Sequence, residues 1–251
     1  MLIIMLSCKR AFAGRYTVNY LIPCWTKKMN WYHISTGQFG YPQPEDSYLD
    51  ETYDLTDGCP TCEIGKRLKN QFRFRSEPKA KHSQFLGLNW VFDEIFVRDV
   101  VKSIFEDEQV IGVKFTKPIL HKTGQPLKTI YHMLVDTVLP PSLNADGLKS
   151  EKCERPKDPG MIKFLEASGS SLVKGPFCGS TKYNYPRGDN ELITMFESTF
   201  SSMPDVVRMS EWFGSGGTAS RPILVSERVK EIVNRMKWRG LIFRPIKLIN
   251  K

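Results

Sequence analysis

Near its C-terminal end the chain reads "VKEIVNRMKWRGLIF", residues 229 to 243. Val229, Ile232, Val233 and Met236 recur there at i, i+3, i+4 and i+7, which places them on one face of an amphipathic helix. Ser226 is a natural N-cap, and Glu227 in the first turn suits the positive helix end. Lys237 and Arg239 favour the C-terminal end, and Gly240 supplies a left-handed residue to stop the helix. The "LIF" that follows has the composition of a strand.

The same pattern occurs earlier, as "VKSIFEDEQVIGVKF" at residues 101 to 115. Aligned 128 positions apart, Val101 matches Val229, Lys102 matches Lys230 and Ile104 matches Ile232. Phe105 sits over Val233, Gly112 over Gly240, Val113 over Leu241 and Phe115 over Phe243. Each copy reads as a helix, a glycine stop and a returning strand. Such units converge on similar patterns by themselves, but seven like-for-like positions without a gap favour duplication. The fold class expected is α+β, with two related halves side by side whose strands share one sheet. The halves are drawn at residues 29–138 and 161–251, joined by the loop-rich "LPPSLNADGLKSEKCERPKDPG" at 139–160. "GSGG" at 214–217 reads as a mobile turn between "DVVRMSEWF" and "RPILVS".

With 251 residues, 41% hydrophobic and 25% charged, the chain has the composition of an ordinary globular protein. Its net charge of +9 points first towards an acidic partner such as nucleic acid. The excess is uneven, because residues 1–28 hold Lys9, Arg10, Arg15, Lys27 and Lys28 and no acid, leaving +4 on the remainder. That segment is read as a non-native or disordered extension. Either Met1 or Met29 is the true start, since "MNWYHISTG" already reads as folded protein. "MLIIMLSC" lacks the basic flank of a signal peptide, and a lipidated Cys8 is the competing interpretation. No run of about 18 apolar residues predicts a membrane span, so the chain is expected in the cytoplasm with its cysteines reduced.

Six cysteines are present: Cys8, Cys24, Cys59, Cys62, Cys153 and Cys178. "CPTC" at 59–62 precedes the first helix unit and "GPFCG" at 175–179 precedes the second. Lys66 and Lys182 each follow the last cysteine of their stretch by four positions. C-P-x-C-G is the rubredoxin-like zinc knuckle, in which proline stiffens the turn and two thiolates point the same way; two knuckles make the tetrahedral sulfur cage that zinc prefers. Glu63 stands where the first knuckle would have glycine, and Gly175 replaces the first cysteine of the second. Cys59, Cys62 and Cys178 are therefore the expected ligands. Cys153 is the candidate fourth, with His82, His121 and His132 as alternatives, and a degenerate site with a merely buried Cys178 also fits. A redox role for Cys59 and Cys62 lacks the βαβ context that such a pair needs.

With "ILVSERVKEIVNRMKWRGLIFRPI" these knuckles make the chain resemble the bacterial double-CxxCG motif proteins, related to the immunity proteins of polymorphic toxins. The positions that carry the resemblance are Cys59, Pro60, Cys62, Pro176, Cys178, Gly179, Val225, Ser226, Glu227, Gly240, Phe243 and Pro245. The resemblance implies a non-enzymatic cytoplasmic protein that neutralises a cognate toxin by direct binding. Such a protein needs an exposed complementary surface, and Trp31, Tyr32, Trp90, Trp212 and Phe213 are the candidate anchors. The residues themselves offer no H-E-x-x-H, nucleophile elbow, phosphate loop or paired carboxylates; neither catalysis nor a small-molecule substrate is expected. The rival reading is a zinc-ribbon module binding nucleic acid through "KRLKNQFRFRSEPKAKH" at 66–82, where Phe72 and Phe74 would stack on bases between phosphate-binding cations; its ordinary interpretation is a solvated strand and loop.

Overall fold

A computed structural model describes residues 30–250, apart from positions 46, 55, 57, 63, 80, 81, 171, 172, 187, 189 and 190. The expectations placed on residues 1–28, Cys8, Met29 and Glu63 lie outside the described residues. Eleven elements position everything that follows. They are β1 (Trp31–Thr36), β2 (Phe85–Leu88), β3 (Val91–Arg98), α1 (Asp99–Asp107), β4 (Lys114–Thr116), β5 (Ile130–Leu134), α2 (Pro159–Ala167), β6 (Val206–Arg208), β7 (Ile223–Ser226), α3 (Glu227–Arg235) and β8 (Leu241–Pro245). The architecture is mixed α+β, and among the described residues no helix is long and apolar enough to cross a membrane.

The two helix units lie in two different sheets, so the expectation of one shared sheet is corrected. One sheet runs β2-β3-β5-β4, with the short strand Gln38–Phe39 added parallel on the β2 edge; the other runs β6-β7-β1-β8. All pairings among these eight strands are antiparallel. The registers correspond as well. Val97 faces Phe85 as Val225 faces Val206, and Phe115 faces Met133 as Phe243 faces Ile34. The slot that β5 fills in the first sheet is filled in the second by β1, which comes from the opposite end of the chain. The half drawn at 29–138 therefore does not coincide with a sheet.

Both helices turn their apolar stripe inward, as the spacing predicts, except that Met236, at the C-cap of α3, is exposed. Val101 and Phe105 of α1 and Val229, Ile232 and Val233 of α3 are buried in one cluster with Phe85, Ile95, Val97, Met133, Val206, Ile223 and Val225. This shared core stabilises the pair, because each sheet covers the other's apolar face. At about 25 cal/mol per Å², each fully buried Val, Ile or Phe side chain contributes roughly 1.5–3 kcal/mol.

The helix ends differ from expectation in an informative way. The left-handed residue that stops α3 is Lys237, at φ 53°, and in α1 it is Gln109, at φ 54°. The Trp238 N–H closes back on the Val233 carbonyl, and the Val110 N–H on that of Phe105, as in a Schellman motif. Gly240 (φ 98°) and Gly112 (φ 96°) come three residues later and serve a different purpose. A Cβ on Gly240 would overlap the Phe85 carbonyl oxygen of β2, and one on Gly112 the Val206 carbonyl oxygen of β6. Each unit thus seats its glycine against the edge strand of the opposite sheet, where the Ile111 carbonyl accepts from Val206 N–H and the Arg239 carbonyl from Phe85 N–H. Ser226 does occupy the N-cap of α3, but its hydroxyl donates to Asp205 Oδ1 at 2.9 Å rather than capping the helix.

Two further expectations change. The "GSGG" stretch is a 3₁₀ turn, Gly216–Thr218, at the base of which Phe213 and Ser220 exchange both backbone hydrogen bonds at 2.9 Å, a closed corner rather than a mobile one. Phe72 and Phe74 are fully buried in an aromatic cluster with Tyr48 and Phe96, so they are not available to stack on bases.

Candidate metal centre

Three separate pieces of chain converge on one point at the edge of the fold. The first is the turn 59–62, which folds back so that Cys59 N–H donates to the Ile64 carbonyl at 2.9 Å. The second follows strand Ser150–Lys152, and the third precedes strand Thr181–Tyr183; these strands pair antiparallel, with Lys152 opposite Thr181. The ladder continues past the strand ends. Cys153 N–H donates to the Ser180 carbonyl at 2.9 Å, and Gly179 N–H to the Cys153 carbonyl at 3.0 Å. That exchange puts Cys153 beside Cys178. Thr61 Oγ1 donates to the Pro176 carbonyl at 2.7 Å and fastens the first turn to the third segment.

The sulfurs of Cys59, Cys62, Cys153 and Cys178 all lie within 4.8 Å of one another, a group that could hold a metal ion. Cys59 Sγ is 3.8 Å from Cys153 Sγ, and Cys62 Sγ is 3.7 Å from Cys178 Sγ. A disulfide needs about 2.05 Å, so these are thiols, and all four are free. A tetrahedron built on metal–sulfur bonds of ~2.3 Å has edges of about 3.8 Å. The Cys59–Cys153 and Cys62–Cys178 separations match that edge.

Its electrostatics fit a cation too. Burial pushes each thiol up, since it disfavours the thiolate. At Cys59 the N–H groups of Cys62 and Thr61, with the neighbouring thiols, overcome burial and bring the pKa down to about 6. At Cys62 burial prevails, helped by the three other thiols, and carries it up to about 12 despite the Ile64 N–H. Burial also raises Cys153, whereas the Ser180 hydroxyl and N–H outweigh it and lower Cys178. A divalent cation among the four sulfurs would favour the thiolate at every corner against burial.

Cys59, Cys62 and Cys153 are buried, and Ile64, Ala219, Phe177 and Trp212 pack around them. Cys178 alone is exposed. The cage thus unites all four cysteines that the sequence puts forward. The alternative histidines are elsewhere: His132 pairs with Glu94 in the core, His121 lies 3.3 Å from Ser47 Oγ, and His82 is on the surface.

The proposed partner anchors fare differently. Trp31, Tyr32 and Phe213 are 2%, 7% and 0% exposed, so these side chains belong to the core and cannot meet a partner. Tyr32 points into the core between the two sheets, and Trp31 and Phe213 point into a second buried cluster. Trp90 joins the aromatic cluster of Tyr48 and Phe72. Trp212 is half-buried as a wall of the cysteine cage, with the Arg221 guanidinium 4.6 Å above its ring. The apolar side chains that do face solvent were not singled out by the sequence pattern. They include Met161 and Phe164 of α2, 50% and 68% exposed, with Ile111 at 59% and Ile242 at 50% elsewhere. No family model matches the chain, and no curated protein matches it either.

Proposed function

We propose that the chain is a zinc-stapled, non-enzymatic binding protein of the immunity type, which neutralises a cognate bacterial toxin in the cytoplasm by direct contact. The observation that carries this reading is the cage, in which four protein sulfurs lie within 4.8 Å of one another, enough to complete a tetrahedral site with no position left for a substrate. A closed site of that kind holds loops in place, whereas catalytic zinc keeps a position open. An all-sulfur tetrahedral set selects zinc or an iron–sulfur centre, and one isolated four-cysteine tetrahedron fits a single zinc ion.

The turn 59–62 and the segment before Cys178 are read as the two knuckles, the second having exchanged its first cysteine for Cys153. Duplication of one strand–helix–strand unit accounts for the matching order and register of the two sheets. The segment between Cys153 and Cys178 includes α2, whose residues are all at least partly exposed. Metal binding at both ends of that segment would hold Met161 and Phe164 outward for a partner, consistent with interface cores enriched in aromatic residues and methionine.

Two measurements test this. Elemental analysis of protein purified without chelator should give about one zinc per chain. Co-expression with the toxin domain encoded beside it should protect growth, and the two purified proteins should form a one-to-one complex. Absence of both protection and complex would sink the immunity reading, whatever the metal content.

A further inference from the structure

The register that relates the two sheets also relates two buried histidines. His132 of β5 lies opposite Phe96 and Thr116, and His33 of β1 lies opposite Leu224 and Arg244, which are 128 positions further on. Their surroundings differ at one decisive place. His132 stacks on Phe96 at 4.9 Å and has its Nε2 2.6 Å from the Glu94 carboxylate, while its buried Nδ1 has no hydrogen-bond partner among the described residues. The residue 128 positions after Glu94 is Pro222. His33, only 7% exposed, stacks on Tyr185 at 5.3 Å, and its ring nitrogens make no hydrogen bond among the described residues.

Instead His33 faces open space. Two cavities, of about 450 Å³ and 300 Å³, share His33, Tyr185 and Arg244 in their walls. The larger is also lined by Leu88, Ile95 and Phe213, and its volume lies in the range of small-molecule sites. Four charged side chains face this space: Arg244 at the junction, Arg221 and Glu94 in the larger cavity, and Glu191 in the smaller. Glu94 is occupied by His132, and Glu191 accepts from the Gly188 N–H at 3.5 Å.

We propose that this junction binds a small organic carboxylate, whose carboxyl group sits between His33 and Arg244 as the Glu94 carboxylate sits against His132. The apolar body of the ligand enters the larger cavity against Leu88, Ile95 and Phe213. A guanidinium presents paired N–H groups that match the two carboxylate oxygens, and one imidazole N–H completes the set. At the junction itself one guanidinium, Arg244, stands beside the His33 ring, which suits one negative charge, while Arg221 lies further into the larger cavity with Glu94. The carboxylates of Glu94 and Glu191 on either side work against a phosphate dianion. The site uses none of the four cysteines, and Arg221 lies between the two places, its guanidinium over Trp212 beside the cage.

The test is a titration of the intact chain with benzoate at constant ionic strength, followed through the imidazole resonances. Benzoate should move the His33 signals saturably while leaving His82 and His121 still, and benzamide should not. Arg244→Gln, at an exposed residue, should weaken benzoate about tenfold, the loss expected of one charge-assisted pair. Pro222→Glu, which places a carboxylate where the other sheet has Glu94, should abolish the response. Failure of the His33 signals to saturate overturns the proposal, as does an unchanged affinity in folded Arg244→Gln. Equal binding of benzamide removes the carboxylate, and equal competition by inorganic phosphate removes the ligand class.

Discussion

Removing the metal is the perturbation whose cost can be worked from the structure. The cage links positions that are 94 residues apart, Cys59 and Cys153. In the chain-entropy account, such a link takes about 4.7 kcal/mol of freedom from the unfolded chain. The link from Cys153 to Cys178 closes a further 25 positions (178 − 153) and adds about 3.5 kcal/mol. A metal bound by all four cysteines would on this account be worth up to about 8 kcal/mol, against the roughly 5–15 kcal/mol by which whole domains are stable. At 2–4 °C per kcal/mol for a chain of this size, thermal unfolding should shift down by about 15 °C or more. Chelation under reducing conditions, followed by thermal denaturation and hydrogen exchange, would show it. Exchange should rise first at 59–64 and 150–183, the segments that meet at the cage. Cys153→Ser should reproduce most of the loss and release the metal. A metal-free protein that melts within about 3 °C of the parent would refute the stapling role, whatever ion the cage can hold.

Gly112→Ala and Gly240→Ala should each cost roughly 2–4 kcal/mol, because strain at positive φ adds to a clash with a carbonyl oxygen of the facing sheet; urea unfolding would measure it, and a neutral result would show that the edge strands can retreat. His33 should make the fold acid-sensitive. Burial, reinforced by Arg244, lowers its pKa from 6.5 to about 4, so the unfolded chain binds the proton more readily between those values. The contribution is complete above about pH 6.5 and falls to nothing near pH 4, up to about 3 kcal/mol in all; His33→Gln should flatten that stretch of the stability–pH curve. Metal should leave the cage as pH falls, because each thiolate must be protonated to let go, and a zinc-sensitive dye would follow the release. Phe164→Asp should leave the melting temperature within about 1 °C of the parent, as surface changes usually do, while weakening a toxin complex at least about tenfold if α2 is the docking face.

The amphipathic units were legible because a helix writes its buried face into local spacing. Val229, Ile232 and Val233 of α3, and Val101 and Phe105 of α1, needed no knowledge of what covers them. Sheet membership was not legible. Trp31 pairs with Ser226, 195 positions away, and nothing in "WYHIST" says which of two similar sheets will receive it. Period-two alternation reports that a strand has a buried face, not whose. The helix stops misled for a related reason. Glycine is the usual left-handed cap, yet Lys237 and Gln109 take that conformation, and the glycines nearby are required by backbones that approach from the other sheet.

At the cage, the short-range part was legible and the long-range part was only a choice among candidates. C-x-x-C places two thiols within one turn, so Cys59 and Cys62 follow from spacing alone. Cys178 follows from half a knuckle. The fourth corner depends on hydrogen bonds between residues far apart in the chain, from Cys153 to Ser180 and from Gly179 back to Cys153, and no local pattern decides those. They also explain how Gly175 can occupy a position that a knuckle reserves for cysteine. The paired strands before Cys153 and after Ser180 bring the Cys153 sulfur to the corner beside Cys178. The aromatic residues show the opposite failure. Trp31 and Phe213 look like anchors when read singly, because large apolar side chains serve cores and interfaces equally well. Only the segments that carry Leu139, Ile193, Met195 and Phe200, packed with them in one buried cluster, assign them to the core.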